Sequence, residues 1–244
     1  MDMVNEREIA SAAGRRPVGN RKVAPQHLDA IEGVVLSGLR TFVKPIKGHD
    51  AADIFIAATE SAKSESIWNY LSYGPFTSEA EVQTWLLNCE ASKDPIFMSF
   101  CDRKTGRTGG MGSFMRIQSN TGVAEIGNIW FSLAWQNTIQ ATEVLSLMMY
   151  HILETKAYRR LEWKCDALNK ASRAAALRLG FRYEGVFLNH MIVKGRNRDT
   201  AWFSLTKEEW PAVHTTHIRW LAPENFDTEG RQKCSLSDLT SALW

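Results

Sequence analysis

No run in the sequence approaches the ~20 consecutive apolar residues that a bilayer-crossing helix requires. Residues 1–26 also lack the continuous apolar core that a secretion machinery reads. A soluble, cytoplasmic chain without a membrane partner is expected. Cysteine is sparse: Cys89, Cys101, Cys165 and Cys234 form no CxxC pair and fall short of the density of disulfide-held secreted scaffolds. A reducing compartment fits that usage. Charge of one sign is lacking too, since 29 Lys and Arg against 27 Asp and Glu leave a net +2. So weak a field holds no phosphate backbone, and no nucleic-acid partner is expected. His214 and His217 share a helical spacing, but no Cys or acidic cluster completes a shell around them, so a surface helix and no metal are expected. Gly106-Arg107-Thr108-Gly109-Gly110-Met111-Gly112 lacks the Gly-Lys-Ser/Thr ending of a phosphate loop and precedes a strand, which reads as a hairpin. No G-x-S-x-G elbow surrounds Ser113, which argues against an esterase.

What the chain does have is enough apolar matter for one good-sized core: 44% of 244 residues. Residues 1–27, with Arg15, Arg16, Arg21 and Lys22 among Gly and Pro, read as a disordered arm, a solvated tail before a weak nuclear address. A domain over 28–212 and a C-terminal helix and tail over 213–244 follow. β-branched residues mark an opening strand at 34–46, closed by Pro45. Helical segments are expected at 50–59, weakly at 66–71, and from Thr77 to Ala91, where Val82, Trp85, Leu86 and Cys89 repeat at helical spacing. Strands at 95–101 and 111–117 pair as a hairpin, and 123–133 is the next strand. From Ala141 the period changes to 3.6, with Val144, Leu145, Met148, Met149, Ile152 and Leu153 on one stripe. A strand at 161–165, a helix at 169–179 stopped by Gly180, and a hairpin of 181–193 with 200–205 around residues 194–198 complete the chain.

A strand running into the amphipathic helix at Ala141 exposes backbone N–H groups at the positive end of a helix dipole, a place for an anion. Any strand-to-helix junction does the same, so this feature alone decides nothing. The residues around it say more. Glu125-Ile126-Gly127-Asn128-Ile129-Trp130-Phe131-Ser132, the 136–143 loop, Tyr158-Arg159-Arg160-Leu161-Glu162-Trp163-Lys164-Cys165-Asp166-Ala167-Leu168-Asn169, Leu177-Arg178-Leu179-Gly180-Phe181-Arg182-Tyr183-Glu184-Gly185 and Lys194-Gly195-Arg196-Asn197-Arg198-Asp199-Thr200-Ala201-Trp202 occur in a telling order. Together they resemble the GNAT superfamily, in a branch near the ribosomal-protein N-terminal acetyltransferases. Tyr73-Gly74-Pro75-Phe76 and Trp220-Leu221-Ala222-Pro223-Glu224-Asn225-Phe226 extend the likeness over about residues 28–239.

The resemblance implies an α/β (α+β) GNAT fold: a mixed twisted sheet of about seven strands, splayed between the fourth and fifth and flanked by helices. It also implies acetyl-CoA as cosubstrate, lodged in the split, and an acetyl group moved to a primary amine. The pantetheine arm would pair with backbone of Phe131, Ser132 and Leu133. The pyrophosphate would lie over Gln136, Asn137, Thr138, Ile139, Ala141 and Thr142, and Asn169 would touch the pantetheine as well as cap its helix. Against the superfamily pattern Q-x-x-G-x-G/A, Ile139 stands at the glycine and Asn137 where the branch usually carries Arg, so one phosphate-pairing cation is missing.

Transfer to an amine needs a neutral nucleophile, a path for its proton, donors for the oxyanion and an acid for the leaving thiolate. Glu125, eleven residues before Gln136, is the candidate base, against a simple solvated or paired carboxylate. The Tyr that many relatives use as acid is Ala176 here; the resemblance points instead to Asn169 and Ser172, the branch carrying a Ser at the latter position, against a Ser172 hydroxyl bonded to its own helix. Trp68, Tyr73, Phe76, His190 and Trp202 are candidate acceptor contacts, or core aromatics. Arg196 and Arg198 offer cations for an acidic acceptor, or solvated charge at a hairpin tip. The weak net charge favours a small-molecule amine or amino acid over a protein N-terminus, and the terminal hairpin would suit a homodimer. The alternative reading is a GNAT-fold module that binds acyl-CoA without transfer.

Overall fold

The computed structural model describes residues 28–244 together with a two-residue antiparallel pair, Ile9–Ala10 with Val18–Gly19. The expectation of a disordered arm over 1–27 otherwise lies outside the described residues. The main sheet has eight strands in the order β1-β2-β3-β4-β5-β6-β8-β7. These are β1 Leu36–Ser37, β2 Thr41–Pro45, β3 Ile96–Asp102, β4 Thr108–Gln118, β5 Val123–Phe131, β6 Arg160–Asp166, β7 Arg182–Val193 and β8 Arg196–Thr206. Every pairing is antiparallel except β5 with β6.

The eighth strand corrects the expected seven, because the opening strand breaks at Gly38 into β1 and β2. A buried carboxylate makes the break. Glu143 accepts hydrogen bonds from the N–H of Leu39 at 3.1 Å, the N–H of Arg40 at 2.9 Å and the Thr41 hydroxyl at 2.6 Å. These bonds satisfy the turn's donors from the far side of the core. A Cβ on residue 38 would stand 2.7 Å from the Glu143 carboxyl carbon, so any residue but glycine there would displace the carboxylate that holds the turn.

Helix α1, Ala51–Thr59, is followed by a 3₁₀ segment, Ala62–Trp68, and by α2, Glu79–Ala91. α2 starts two residues later than its composition suggests. Ser78 is the cap, its hydroxyl accepting from Glu81 N, and Thr77 instead donates to the Glu81 carboxylate. α3, Ile139–Tyr150, carries the predicted stripe: Val144, Leu145, Met148 and Met149 are buried, with Ile152 and Leu153 in the π turn His151–Thr155 that continues it. Each such side chain contributes ~1.5–3 kcal/mol of hydrophobic stabilisation, which ties α3 to the sheet.

α4, Lys170–Arg178, α5, Trp210–Leu221, and α6, Leu236–Ser241, close the same core, to which Trp210, Val213, Trp220 and Leu236 belong. The surface-helix expectation for His214 and His217 fails at His217, which is fully buried. Its Nδ1 lies 3.0 Å from the Ser146 hydroxyl and its Nε2 3.1 Å from the Leu179 carbonyl. A carbonyl only accepts, so Nε2 bears a proton. Burial pulls its pKa down to about 4.

The terminal hairpin turns on Lys194 and Gly195 alone, both at positive φ, rather than on five residues. β8 therefore starts at Arg196, and Arg198 lies within a strand, paired with Met191.

Candidate active site

β5 and β6 pair through only three residues each, Val123 with Arg160, Ala124 with Leu161 and Glu125 with Glu162. Beyond Glu125 the two strands part. β5 follows β4 and β6 follows β8. Asn128, at φ +54°, sits in the register shift between Met111 and Ser113 and bends β5 away. The split opens a cleft of about 1310 Å³. Two ties cross it: the Tyr70 hydroxyl donates to Leu168 O at 3.3 Å, and Lys194 Nζ donates to the carbonyls of Trp68, Tyr73 and Gly74 at 3.0, 3.2 and 2.8 Å. The hairpin tip is thereby tied to the segment after α1.

At one end of the cleft the loop after β5 turns into α3. Asn137 adopts φ +61°, a backbone state that Asn tolerates better than other non-glycine residues. The Thr138 hydroxyl caps the helix, accepting from Ala141 N at 3.2 Å and donating to Trp135 O at 2.7 Å. The first-turn N–H groups of Ile139 and Gln140 have no intrahelical acceptor and lie at the positive end of the helix dipole. Phe131, Gln136, Asn137, Thr138, Ile139, Ala141, Thr142 and Asn169 all line the cleft. Ser132 and Leu133 do not. β5 ends at Phe131, and the Ser132 N–H is taken by Gly109 O while its carbonyl accepts from Trp135 N and Gln136 N. The Phe131 carbonyl accepts from Gln136 Nε2 at 3.3 Å.

Arg178 completes this end of the cleft. From the last turn of α4 it lines the cleft and donates to the Thr142 hydroxyl at 2.9 Å, while its guanidinium lies over the Trp220 ring at 4.9 Å. A cation thus stands beside the loop, although Asn137 supplies none. Arg178 appears in the sequence as an ordinary basic residue near a helix end. Its nearness to Thr142 is a product of packing.

Ser172 and Asn169 sit on the β6 side. The Asn169 side chain caps α4, accepting from Ser172 N at 3.0 Å. The Ser172 hydroxyl accepts from the buried Trp163 indole N–H at 3.0 Å and also hydrogen-bonds the Cys165 thiol beside it. Ala176, at the position of the expected Tyr, is fully buried.

The opposite side of the cleft holds charges in pairs. Glu125, 4% exposed, has Oε2 at 2.9 Å from Lys164 Nζ and 3.0 Å from Arg116 Nε. Lys164 also meets Glu162 at 2.6 Å. Burial pushes the Glu125 carboxyl above the usual carboxylate range, against the pull of Lys164 and Arg116. Burial works the same way on Glu162, but hydrogen bonds from Lys164 and Arg160 outweigh it and hold that carboxyl low. The two neighbouring carboxyls are therefore driven apart, Glu125 upward and Glu162 downward. Arg116 is aimed by a bulge: its φ is +49°, and the Asp94 carboxylate accepts from the N–H groups of Arg116 and Ile117.

His190 lines the cleft, with Nδ1 at 2.9 Å from the Thr200 hydroxyl. Trp202 does not reach the cleft. It lines an adjoining cavity of about 680 Å³, under Lys164 Nζ at 4.0 Å from the ring centre. Trp68, Tyr73 and Phe76 also stay out of the cleft lining, packed with Trp85 and Trp130 in a second aromatic core. Gly74 allows that packing, since a Cβ there would stand 2.4 Å from the Trp68 ring.

A sheet split beside a helix start, with a buried carboxylate in the gap, defines an acyltransferase of the GNAT type. The acetyltransferase (GNAT) domain profile matches residues 40–182, and the chain belongs to that family. A GCN5-related N-acetyltransferase from Brucella melitensis is 38% identical, with 89% of this chain and 97% of that one covered at a TM-score of 0.85. A probable acetyltransferase (GNAT family) from Chromobacterium violaceum ATCC 12472 is 33% identical, with 83% and 96% covered at 0.70. The Microcin C7 self immunity acetyltransferase MccE, solved in complex with acetyl-CoA and AMP, shares the fold at 18% identity, with 69% and 93% covered at 0.61. No curated protein matches the chain. Among the described residues, no helix is long and apolar enough to cross a membrane.

Proposed function

We propose that this protein transfers an acetyl group from acetyl-CoA to a primary amine on a small molecule or amino acid. The observation that carries the reading is the continuous cleft that joins the free first-turn amides of α3 to the buried Glu125 carboxylate. Acetyl-CoA supplies an activated acyl group whose thiolate can leave. The protein's part is to bind, orient and move protons. The amides of residues 139 and 140, the Thr142 hydroxyl and Arg178 hold the diphosphate end, with Arg178 standing in for the cation that Asn137 lacks. Backbone of β5 on the split side, free of a strand neighbour beyond Glu125, takes the extended arm as an added strand.

Glu125 accepts the amine proton, directly or through water, and its raised pKa brings its basicity closer to that task. Ser172, with its oxygen already accepting from Trp163, turns its O–H to the departing sulfur as a hydrogen-bond donor, and solvent protonates the thiolate. The Lys194 tie supports a small acceptor, because it bridges the space that a protein N-terminus would have to thread. The test is thiol release from acetyl-CoA by the full chain across a panel of amines, with the product identified by mass. CoA binding with no amine-dependent thiol at any pH would instead identify a binding module.

A further inference from the structure

Three arginine or lysine side chains face the acceptor side of the cleft, and two of them are neutralised: Arg116 by Glu125, and Lys164 by Glu125 and Glu162. The third, Arg198, is half-buried and makes no ion pair among the described residues, and its Nε is buried without a hydrogen-bond partner. It lines the cleft two residues before Thr200 on β8. The nearby carboxylates are engaged elsewhere. Asp199 accepts from Asn189 N at 2.7 Å and Asn197 Nδ2 at 3.0 Å, and Asp166 accepts from Leu168 N at 2.8 Å. Arg196, nearer the hairpin tip, is exposed. A buried guanidinium N–H with nothing to bind is destabilising, and in a cleft an acceptor entering from the solvent side, water or a ligand, completes it.

Resting on the acetyl-transfer reading, we propose that Arg198 anchors a carboxylate carried by the acceptor, so that the preferred substrate is an amino acid or related amino-carboxylate. A guanidinium edge matches the two oxygens of one carboxylate. A phosphate dianion would call for a second unpaired cation, and Arg116 and Lys164 are already committed. Burial and then the charges of Arg116, Arg198 and Lys164 pull the His190 pKa below its ordinary value, so one imidazole on the cleft wall feels both the anchor and the Glu125 cluster. The two belong to one pocket.

The experiment compares acceptors in matched pairs, the standard amino acids, β-alanine and γ-aminobutyrate each against its carboxamide, with phosphoethanolamine added. The wild-type protein is expected to favour the carboxylate member by about 10- to 100-fold in kcat/KM, the range of one charge-assisted contact. R198Q should bring the carboxylate member down toward its carboxamide, and R198K should recover part of the preference. Equal use of both members by wild type, a uniform loss for both in R198Q, or a preference for phosphoethanolamine over β-alanine would overturn the anchor.

A binding arm is independent of turnover: N-acetyl amino acids and their amides are titrated calorimetrically into the CoA-loaded protein. Carboxylate-selective heat that R198Q abolishes supports the anchor even if no amine is acetylated. Absent or carboxylate-blind binding overturns it, and amine-dependent thiol release alongside that result would leave the transferase reading standing.

Discussion

The two ends of the cleft are made of different material. The end at α3 is largely backbone: a Thr cap, an Asn in the left-handed region, first-turn amides, and one arginine brought from α4. The other end is built of side chains, with Glu125, Glu162, Arg116 and Lys164 offsetting one another within 3.0 Å. Peptide N–H groups are present whatever residue supplies them, so the first end tolerates Ile139 and Asn137 in place of the common residues. The second end depends on which residues are there, because Glu125 and Lys164 each take part in two of its ion pairs and any change of charge shifts the balance among the rest.

The strongest way to break this contrast is E125Q. The shape is kept and the proton acceptor is lost, so kcat/KM should fall by about 10²–10⁴-fold, the range of general base catalysis. Burial raises the Glu125 pKa, and the base works only deprotonated. The wild-type pH profile of kcat/KM should therefore rise through a limb above the ordinary glutamate range, and E125Q should lack that limb. CoA binding by calorimetry should be little changed in E125Q. A profile identical in both proteins would make water the base.

A second prediction separates the site from the scaffold that holds it. His217 titrates at about 4 when folded and at about 6.5 when unfolded. The unfolded chain thus takes up the proton first as pH falls. The neutral imidazole's contribution is complete above pH ~6.5 and is lost as pH drops toward 4, by roughly 3 kcal/mol in all. Urea unfolding across that window should show the loss, and H217N should flatten it while lowering stability at neutral pH. This acid sensitivity belongs to the α3–α5 contact and should appear without CoA or acceptor.

R178Q tests the backbone end. Loss of one charge-assisted partner should weaken CoA binding by about 10- to 100-fold, with acceptor KM scarcely moved. An unchanged CoA affinity would mean that amides and hydroxyls suffice there.

The contrast also explains what the sequence disclosed. The α3 stripe, the cap at Asn169 and the loop from Gln136 to Thr142 are local patterns, and they form where their spacing put them. The broken opening strand was hidden because Glu143, which makes the turn at Gly38, lies more than a hundred residues away. Arg178 and the charge pairs of Lys164 were hidden for the same reason: their partners come from other elements. The aromatics Trp68, Tyr73 and Phe76 were ambiguous by chemistry, since a large ring serves a core and a pocket equally well until packing assigns it. Arg198 depended on the turn, because a two-residue turn puts it inside β8 and the longer loop expected from composition puts it in solvent.

The smallest expected effect sharpens the comparison furthest. Thr138→Ala removes the hydroxyl that accepts from Ala141 N and donates to Trp135 O. Loss of such a cap costs ~1 kcal/mol of stability. It leaves every first-turn amide in place and frees one more, the N–H of Ala141, to meet the diphosphate. CoA affinity should therefore change by no more than about threefold, roughly half of a factor-of-ten step in free energy, while the chemical midpoint of unfolding falls measurably. Should T138A weaken CoA as much as R178Q does, the loop is held in its binding shape by its side chains, and the distinction between a backbone end and a side-chain end does not hold.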